Sequence, residues 1–206
     1  MEEFKQLGLS DNVISALKKK GYVTPTEIQK KAIPLLLDGK LDIIAQSQTG
    51  TGKTASFALP IIEKIKENSK PVQAIILTPT RELAIQVAKE FESLSGNKRI
   101  RVLAVYGGTS VSEQRNQLRR GIDVVVGTPG RVIDQIKRRS LDISNVSFAV
   151  LDEADEMLNM GFLEEIEKIL EKTNSHKKML LFSATMPKAI QKIAKRFMRE
   201  HTILEI

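Results

Sequence analysis

The sequence predicts an α/β fold: a doubly wound, mostly parallel sheet of about seven strands with helices on both faces. Three observations carry this expectation. From residue 42 onward, short apolar runs alternate with amphipathic stretches. The first run enters a glycine-rich turn, Ser47-Gln48-Thr49-Gly50-Thr51-Gly52-Lys53-Thr54, and helix-forming residues follow it. Glycines, hydroxyls, acids and arginines then recur directly after successive runs. Strands alternating with helical patterns are the rhythm of right-handed βαβ units, which build parallel sheets.

In chain order, Phe4, Leu7 and Leu9 precede Ser10-Asp11, a helix cap, after which Val13, Ile14 and Leu17 form an apolar stripe ending at Gly21. A second helix is expected to begin within Thr24-Pro25-Thr26-Glu27, with Pro25 in its first turn, and to run to Gly39. Strands follow in IIAQ, VQAIILT, IRVLAVY, DVVVG, VSFAVLD, KMLLFSAT and TILEI. Helices are expected near 53–66, 80–94, 111–119, 130–138 and 188–198, with two short ones after residue 152. The pattern has no internal repeat or linker, so residues 1–206 read as one domain, with a helical region over 1–40 and a phosphate-loop core over 41–206.

Composition narrows the function. The chain has 206 residues, 41% of them apolar, enough to bury a substantial core. No run reaches about 18 apolar residues, and the amino terminus lacks the layout of a signal peptide, so a soluble cytoplasmic protein with no membrane partner is expected. The absence of cysteine excludes disulfides, thiolate catalysis and cysteine zinc sites. His176 and His201 are too few and too far apart for a metal centre. A net charge of +7 favours a polyanionic partner, although each basic cluster taken singly is ordinary at a helix end.

The chemistry begins at the glycine-rich turn. Backbone N–H groups freed by Gly50 and Gly52 converge on phosphate oxygens, the following helix adds its positive end, Lys53 adds a charge, and Thr54 offers a hydroxyl to magnesium. Ser47 stands where the strict pattern has glycine. Asp152, at the tip of the strand in FAVLDEAD, is placed to face that magnesium, and Glu153 to orient and deprotonate the attacking water. The bland alternatives, a turn that starts a helix and an acidic first turn, account for each stretch singly but not for both in this order.

The ordered set GYVTPTEIQ, SQTGTGKT, PTRELA, GG, TPGR, DEAD and SAT closely resembles the first RecA-like domain of DEAD-box ATP-dependent RNA helicases, over nearly the whole chain. The resemblance implies ATP or ADP with Mg2+ as ligands. It implies that Ser47, Gln48, Thr49, Gly50, Thr51, Gly52, Lys53 and Thr54 cradle the phosphates, that Tyr22 stacks on adenine, and that the Gln29 amide pairs with the adenine edge. It further implies that Asp155, Ser183 and Thr185 couple hydrolysis to RNA binding. Thr80, Arg81, Gly108, Thr128, Gly130 and Arg131 would contact RNA, through hydroxyl, amide and guanidinium groups suited to phosphate and ribose rather than to base edges. With seven phenylalanines and two tyrosines, none read as interleaving with these motifs, base stacking is not expected.

The family's second RecA-like domain, which carries arginines that reach the γ-phosphate, is not in these residues. The expected function is therefore half of an ATP-driven RNA-remodelling enzyme. The alternative is a stand-alone nucleotide-dependent RNA-binding or regulatory module without catalysis. A small-molecule kinase fits poorly, since no arginine-rich lid segment is visible.

Overall fold

Short apolar runs become interior strands when both of their faces are covered, and every residue of the four runs AIIL, VVVG, FAVL and MLLF is buried. The computed structural model describes residues 1–48, 50 and 52–206. Its elements are α1 (Glu2–Gln6), α2 (Asp11–Lys19), α3 (Glu27–Asp38), β1 (Asp42–Gln46), α4 (Lys53–Lys64), β2 (Ala74–Leu77), α5 (Arg81–Leu94) and β3 (Val102–Val105). They continue with α6 (Val111–Arg119), β4 (Val124–Gly127), α7 (Pro129–Lys137), β5 (Phe148–Leu151), α8 (Ala154–Asn159), α9 (Leu163–Glu171), β6 (Lys178–Ser183), α10 (Lys188–Phe197) and β7 (His201–Glu205). The strands form one seven-stranded sheet in the order β3-β4-β2-β5-β6-β1-β7, with every pairing parallel. The predicted fold class is the observed one.

Side-chain alternation along each strand divides the interior in two. Ile43, Ala45, Ile76, Val126, Val150 and Phe182 pack with apolar residues of α1 to α5, whereas Ile44, Ile75, Leu77, Val125, Leu151 and Leu181 pack with those of α7 to α10. On the first face Phe57 bridges Phe91 and Phe182, with ring centroids 6.1 and 5.4 Å apart. Truncating such a fully buried ring costs about 3–5 kcal/mol.

Two details depart from the sequence expectation. The first nine residues are not a mere approach to α2, because Glu2–Gln6 form α1 and bury Phe4 completely. Pro25 lies outside α3 rather than in its first turn. The Thr26 hydroxyl accepts from the Gln29 backbone N–H while the Gln29 side-chain carbonyl accepts from the Thr26 N–H at 2.9 Å, and this reciprocal cap fixes the first helical residue, Glu27, two residues beyond the proline.

Two buried aspartates pin the end of the sheet where the strands begin. Asp42 accepts from the Met179 and Arg199 N–H groups at 3.0 and 2.8 Å. Asp123 accepts from the Arg101 backbone and, in a two-pronged contact, from its guanidinium. Both carboxylates are satisfied by the chain itself, so they serve the fold.

Candidate functional site

In a parallel sheet, all the loops that leave the carboxyl ends of the strands lie along one rim. The strand order therefore sets the order of the motifs: the loops after β3, β4 and β2 occupy one half of the rim, and those after β5, β6 and β1 the other. Residues attributed to RNA fall on the first half. Residues attributed to the nucleotide fall on the second.

On the nucleotide half, α4 begins at Lys53, immediately after Gly52, whose φ of 81° is left-handed. The Lys53 ammonium lies 2.9 Å from Asp152 Oδ1, with side chains 9% and 0% exposed. Two residues distant in sequence are thus joined at the heart of the predicted site. Among the described residues the ion pair is incomplete: Lys53 and the Glu153 N–H lie close to the Asp152 carboxylate, but neither of its oxygens meets a donor in good hydrogen-bonding geometry, and the Ser47 hydroxyl is likewise buried without a partner. Burial pushes the Asp152 carboxyl above its ordinary pKa, against the pull of Lys53. Glu153 is raised as well, by partial burial, with Lys53 opposing and Asp152 adding to the shift. Glu153 also holds a φ of 51°, rare for a residue with a side chain. Backbone strain of this kind is characteristic of functional positions.

These groups fit a magnesium–phosphate cluster. Among the described residues no three His, Asp or Glu side chains converge on a metal position. Magnesium bound with nucleotide needs only one or two protein ligands and keeps phosphate and water oxygens for the rest. The Asp152 carboxylate, paired with Lys53 but short of well-aligned donors, and the Thr54 hydroxyl, next to Lys53 in the first turn of α4, match that donor set. Thr49 and Thr51 lie outside the described residues.

The predicted adenine motif is locked to the same loop. Gln29 is buried, and its Nε2 donates to the Gly52 carbonyl at 3.0 Å. A Cβ at Gly52 would lie 2.6 Å from that nitrogen, so the close approach requires glycine. The amide uses one of its two N–H groups and one of its two carbonyl lone pairs in these contacts, and the others remain to address a base. Tyr22 is half-buried. Its hydroxyl donates to Glu90 Oε1 at 2.7 Å, and its ring meets Phe4 edge-on at a centroid distance of 6.1 Å. Burial and Glu90 together raise the phenol above its ordinary pKa.

Asp155, Ser183 and Thr185 also meet. The Asp155 N–H donates to the Ser183 hydroxyl at 3.3 Å, that hydroxyl donates to the Thr185 carbonyl at 2.6 Å, and the Thr185 hydroxyl donates to Asp155 Oδ2 at 2.9 Å. Partial burial works against the ionised Asp155, but its hydrogen bonds outweigh burial and hold the carboxyl below the usual carboxylate range. A plain helix cap does not describe this cross-strand clasp.

On the other half of the rim, Thr80 caps α5 by accepting from the Leu83 N–H, and Arg81 follows it, exposed. The Arg81 guanidinium lies 4.8 Å above the Tyr106 ring. This corrects the expectation that no aromatic ring interleaves with these motifs: Tyr106 sits among them, with a face occupied by Arg81. Gly108 comes near the same guanidinium, 3.8 Å from the place a Cβ would take. Thr128 precedes α7, Gly130 is exposed in its first turn, and Arg131 donates to Gln114 Oε1 at 3.0 Å and to the Thr109 carbonyl at 3.1 Å. Glu90, Tyr106 and Gln114 are positioning partners that the sequence did not reveal. Glu90 and Gln114 lie on α5 and α6 and Tyr106 just past the end of β3, and each meets its arginine or tyrosine at a distance along the chain that local periodicity does not register.

A parallel sheet with a phosphate loop and a strand-end acidic pair defines a nucleotide-binding α/β protein of the P-loop class. The chain matches the DEAD/DEAH box helicase family over residues 26–193, and it belongs to that family. It is 52% identical over 202 residues to the probable ATP-dependent RNA helicase MJ0669 of Methanocaldococcus jannaschii, covering 98% of this chain and 54% of that protein. It is 51% identical over 206 residues to the ATP-dependent RNA helicase CshA of Listeria monocytogenes, covering all of this chain and 39% of that one. The crystal structure of a DEAD box protein from Methanococcus jannaschii superposes with a TM-score of 0.95 over 98% of this chain and 55% of the other, at 52% identity. That of a hypothetical ATP-dependent RNA helicase from Sulfolobus tokodaii gives 0.88 at 37% identity, over 96% of this chain and 57% of that one. The chain spans roughly half the length of these proteins or less. No helix among the described residues is long and apolar enough to cross a membrane.

Proposed function

We propose that this chain is the amino-terminal ATP- and RNA-binding domain of a cytoplasmic ATP-dependent RNA helicase, which couples ATP binding and hydrolysis to local duplex unwinding and ribonucleoprotein remodelling. The observation that carries the reading is the buried contact between Lys53 and Asp152, incomplete in a way that a triphosphate with magnesium would complete. Lys53 would set its charge against the β- and γ-phosphate oxygens. Thr54 and Asp152 would hold the metal ion. When bound, magnesium neutralises charge that develops on the transferred phosphoryl group. Glu153, whose raised pKa brings it closer to the working pH of a base, orients the attacking water and accepts its proton.

Gln29 and Tyr22 address adenine. Asp155, Ser183 and Thr185 tie the acidic loop to the loop after β6, and so pass the state of the phosphates along the rim. Arg81, Arg131, Thr80, Thr128, Gly108 and Gly130 hold RNA by phosphate and ribose, which makes binding independent of sequence. The greater length of the relatives supports a second RecA-like domain in the parent protein, supplying arginines to the γ-phosphate. Such arginines contribute about 10³–10⁵ in rate, so this chain alone is expected to bind nucleotide and turn it over slowly, without unwinding.

The test is calorimetric titration of the chain with ADP and GDP in the presence of magnesium. Saturable ADP binding that exceeds GDP binding about tenfold is expected, from one bidentate amide contact. Equal affinities, or no binding, would refute the site.

A further inference from the structure

A cleft of about 730 Å³ opens between the C-terminal half of α7, the C-terminal half of α9 and the segment 141–144. Starting from the rim, α7 runs for nine residues, or about 13 Å at 1.5 Å per residue, and the segment after it leads into the start of β5. The cleft therefore lies toward the opposite end of the sheet from the nucleotide and RNA loops. Its floor is apolar, with Ile133, Leu141 and Ile143 buried and Ile136 partly so.

The lining is basic, with Lys137, Arg139, Lys168 and Lys172 against Asp142 and Glu171. Both carboxylates are answered from within the chain. Asp142 accepts from the Ser144 N–H and hydroxyl at 2.9 and 2.7 Å, and Glu171 accepts from Arg196 at 2.6 Å. Lys168 pairs with Glu164 at 2.9 Å, and Lys137 adds its charge to the field on the same carboxylate. Among the described residues, the side chains of Arg139 and Lys172 have neither a hydrogen bond nor an ion pair.

Lysine near the end of a helix is ordinary, because it complements the helix dipole. Arg139 is not ordinary. Its N–H donates to the Ile136 carbonyl and the Ser140 N–H donates to that of Gln135, the paired bonds of a helix end whose middle residue is left-handed. Arg139 occupies that position with a φ of 61°, where glycine is the unstrained choice. A strained backbone thus presents an unpaired guanidinium beside an apolar floor.

We propose that this cleft docks an acidic amphipathic segment of a partner protein, with a large apolar side chain on the Ile133–Leu141–Ile143 floor and carboxylates on Arg139 and Lys172. Charge complementarity selects an acidic partner, and the floor selects a peptide over RNA, since it offers no aromatic ring on which a base could stack.

The experiment measures fluorescence anisotropy of a labelled peptide, with leucine and phenylalanine at its centre and glutamates on both flanks, titrated with this chain at low salt. Saturable binding is expected, weakened about five-fold by R139G or K172A and by serine in place of the peptide's apolar residues. R139G separates docking from folding, because glycine relaxes the backbone and should hold or raise the melting temperature while binding falls. Three outcomes overturn the proposal: no saturable binding, binding indifferent to R139G and K172A, or displacement of the peptide by oligouridylate. The last would make the cleft an RNA contact.

Discussion

At the phosphate loop and the acidic pair, on the half of the rim that follows β5, β6 and β1, polar groups are buried before they are satisfied. Asp152 is wholly enclosed with its oxygens poorly served, the Ser47 hydroxyl has no partner among the described residues, and Glu153 holds a left-handed backbone. Along the half that follows β2, β4 and β3, the opposite holds. Arg131 is half-exposed yet already carries two hydrogen bonds, and Arg81 rests on Tyr106. The contrast is what the proposed ligands would require. A compact, highly charged cluster can repay desolvation of the groups that face it, whereas a solvated backbone strand is met best by side chains whose conformational entropy is already spent.

The sharpest way to break this comparison is K53A. It leaves the Asp152 carboxylate buried without its cation, and losing one partner of a buried pair costs about 3–5 kcal/mol. A clear fall in melting temperature and loss of nucleotide binding by calorimetry are expected. If K53A melts with the unmodified chain, the Lys53–Asp152 pair does not hold that half together. E153G probes the same half in the other direction. Relieving a left-handed backbone should stabilise the chain by about 1 kcal/mol, read as a melting temperature higher by about 2–4 °C, while RNA-stimulated ATP turnover in the parent protein is abolished. A variant that melts lower would show that Glu153 is not strained.

R131A tests the preorganised half. A loss of stability of about 1 kcal/mol and an RNA salt dependence shallower by about one unit of slope are expected, the latter from filter binding across a salt series. An unchanged slope would leave Arg131 a brace between the loops after β3 and β4.

The smallest effect lies within the nucleotide half, at the clasp between the loops after β5 and β6. Asp155 has a folded-state pKa below its unfolded value, so its contribution is present above the unfolded value and is lost as pH falls through the folded one. Acid melting curves should show this contribution disappearing below about pH 4, and T185A should flatten that part of the profile. Superimposable curves for the two proteins would remove Thr185 from the clasp.

Much of this was legible without coordinates. Apolar runs such as FAVL and MLLF fixed strands buried on both faces, and the SQTGTGKT turn announced its own strand-to-helix setting. The expected meeting of Lys53 with Asp152 followed from motif order. Pro25 misled because a proline favours a first helical turn, and only the reciprocal bonds between Thr26 and Gln29 show which residue caps. Tyr106 was passed over because its position beside Gly107 says nothing about the guanidinium that covers its ring.

The sequence by itself determined which residue types follow each strand, because local hydrophobic period and turn chemistry are properties of neighbouring residues. Tertiary structure alone decided that the loops attributed to nucleotide and to RNA occupy separate halves of one rim, that Gln29 closes on Gly52, and that Glu90 holds Tyr22. Those facts depend on the strand order β3-β4-β2-β5-β6-β1-β7 and on packing across long stretches of chain. Neither leaves a periodic trace in a single sequence, because strand order and long-range contacts are set by burial of the whole core at once.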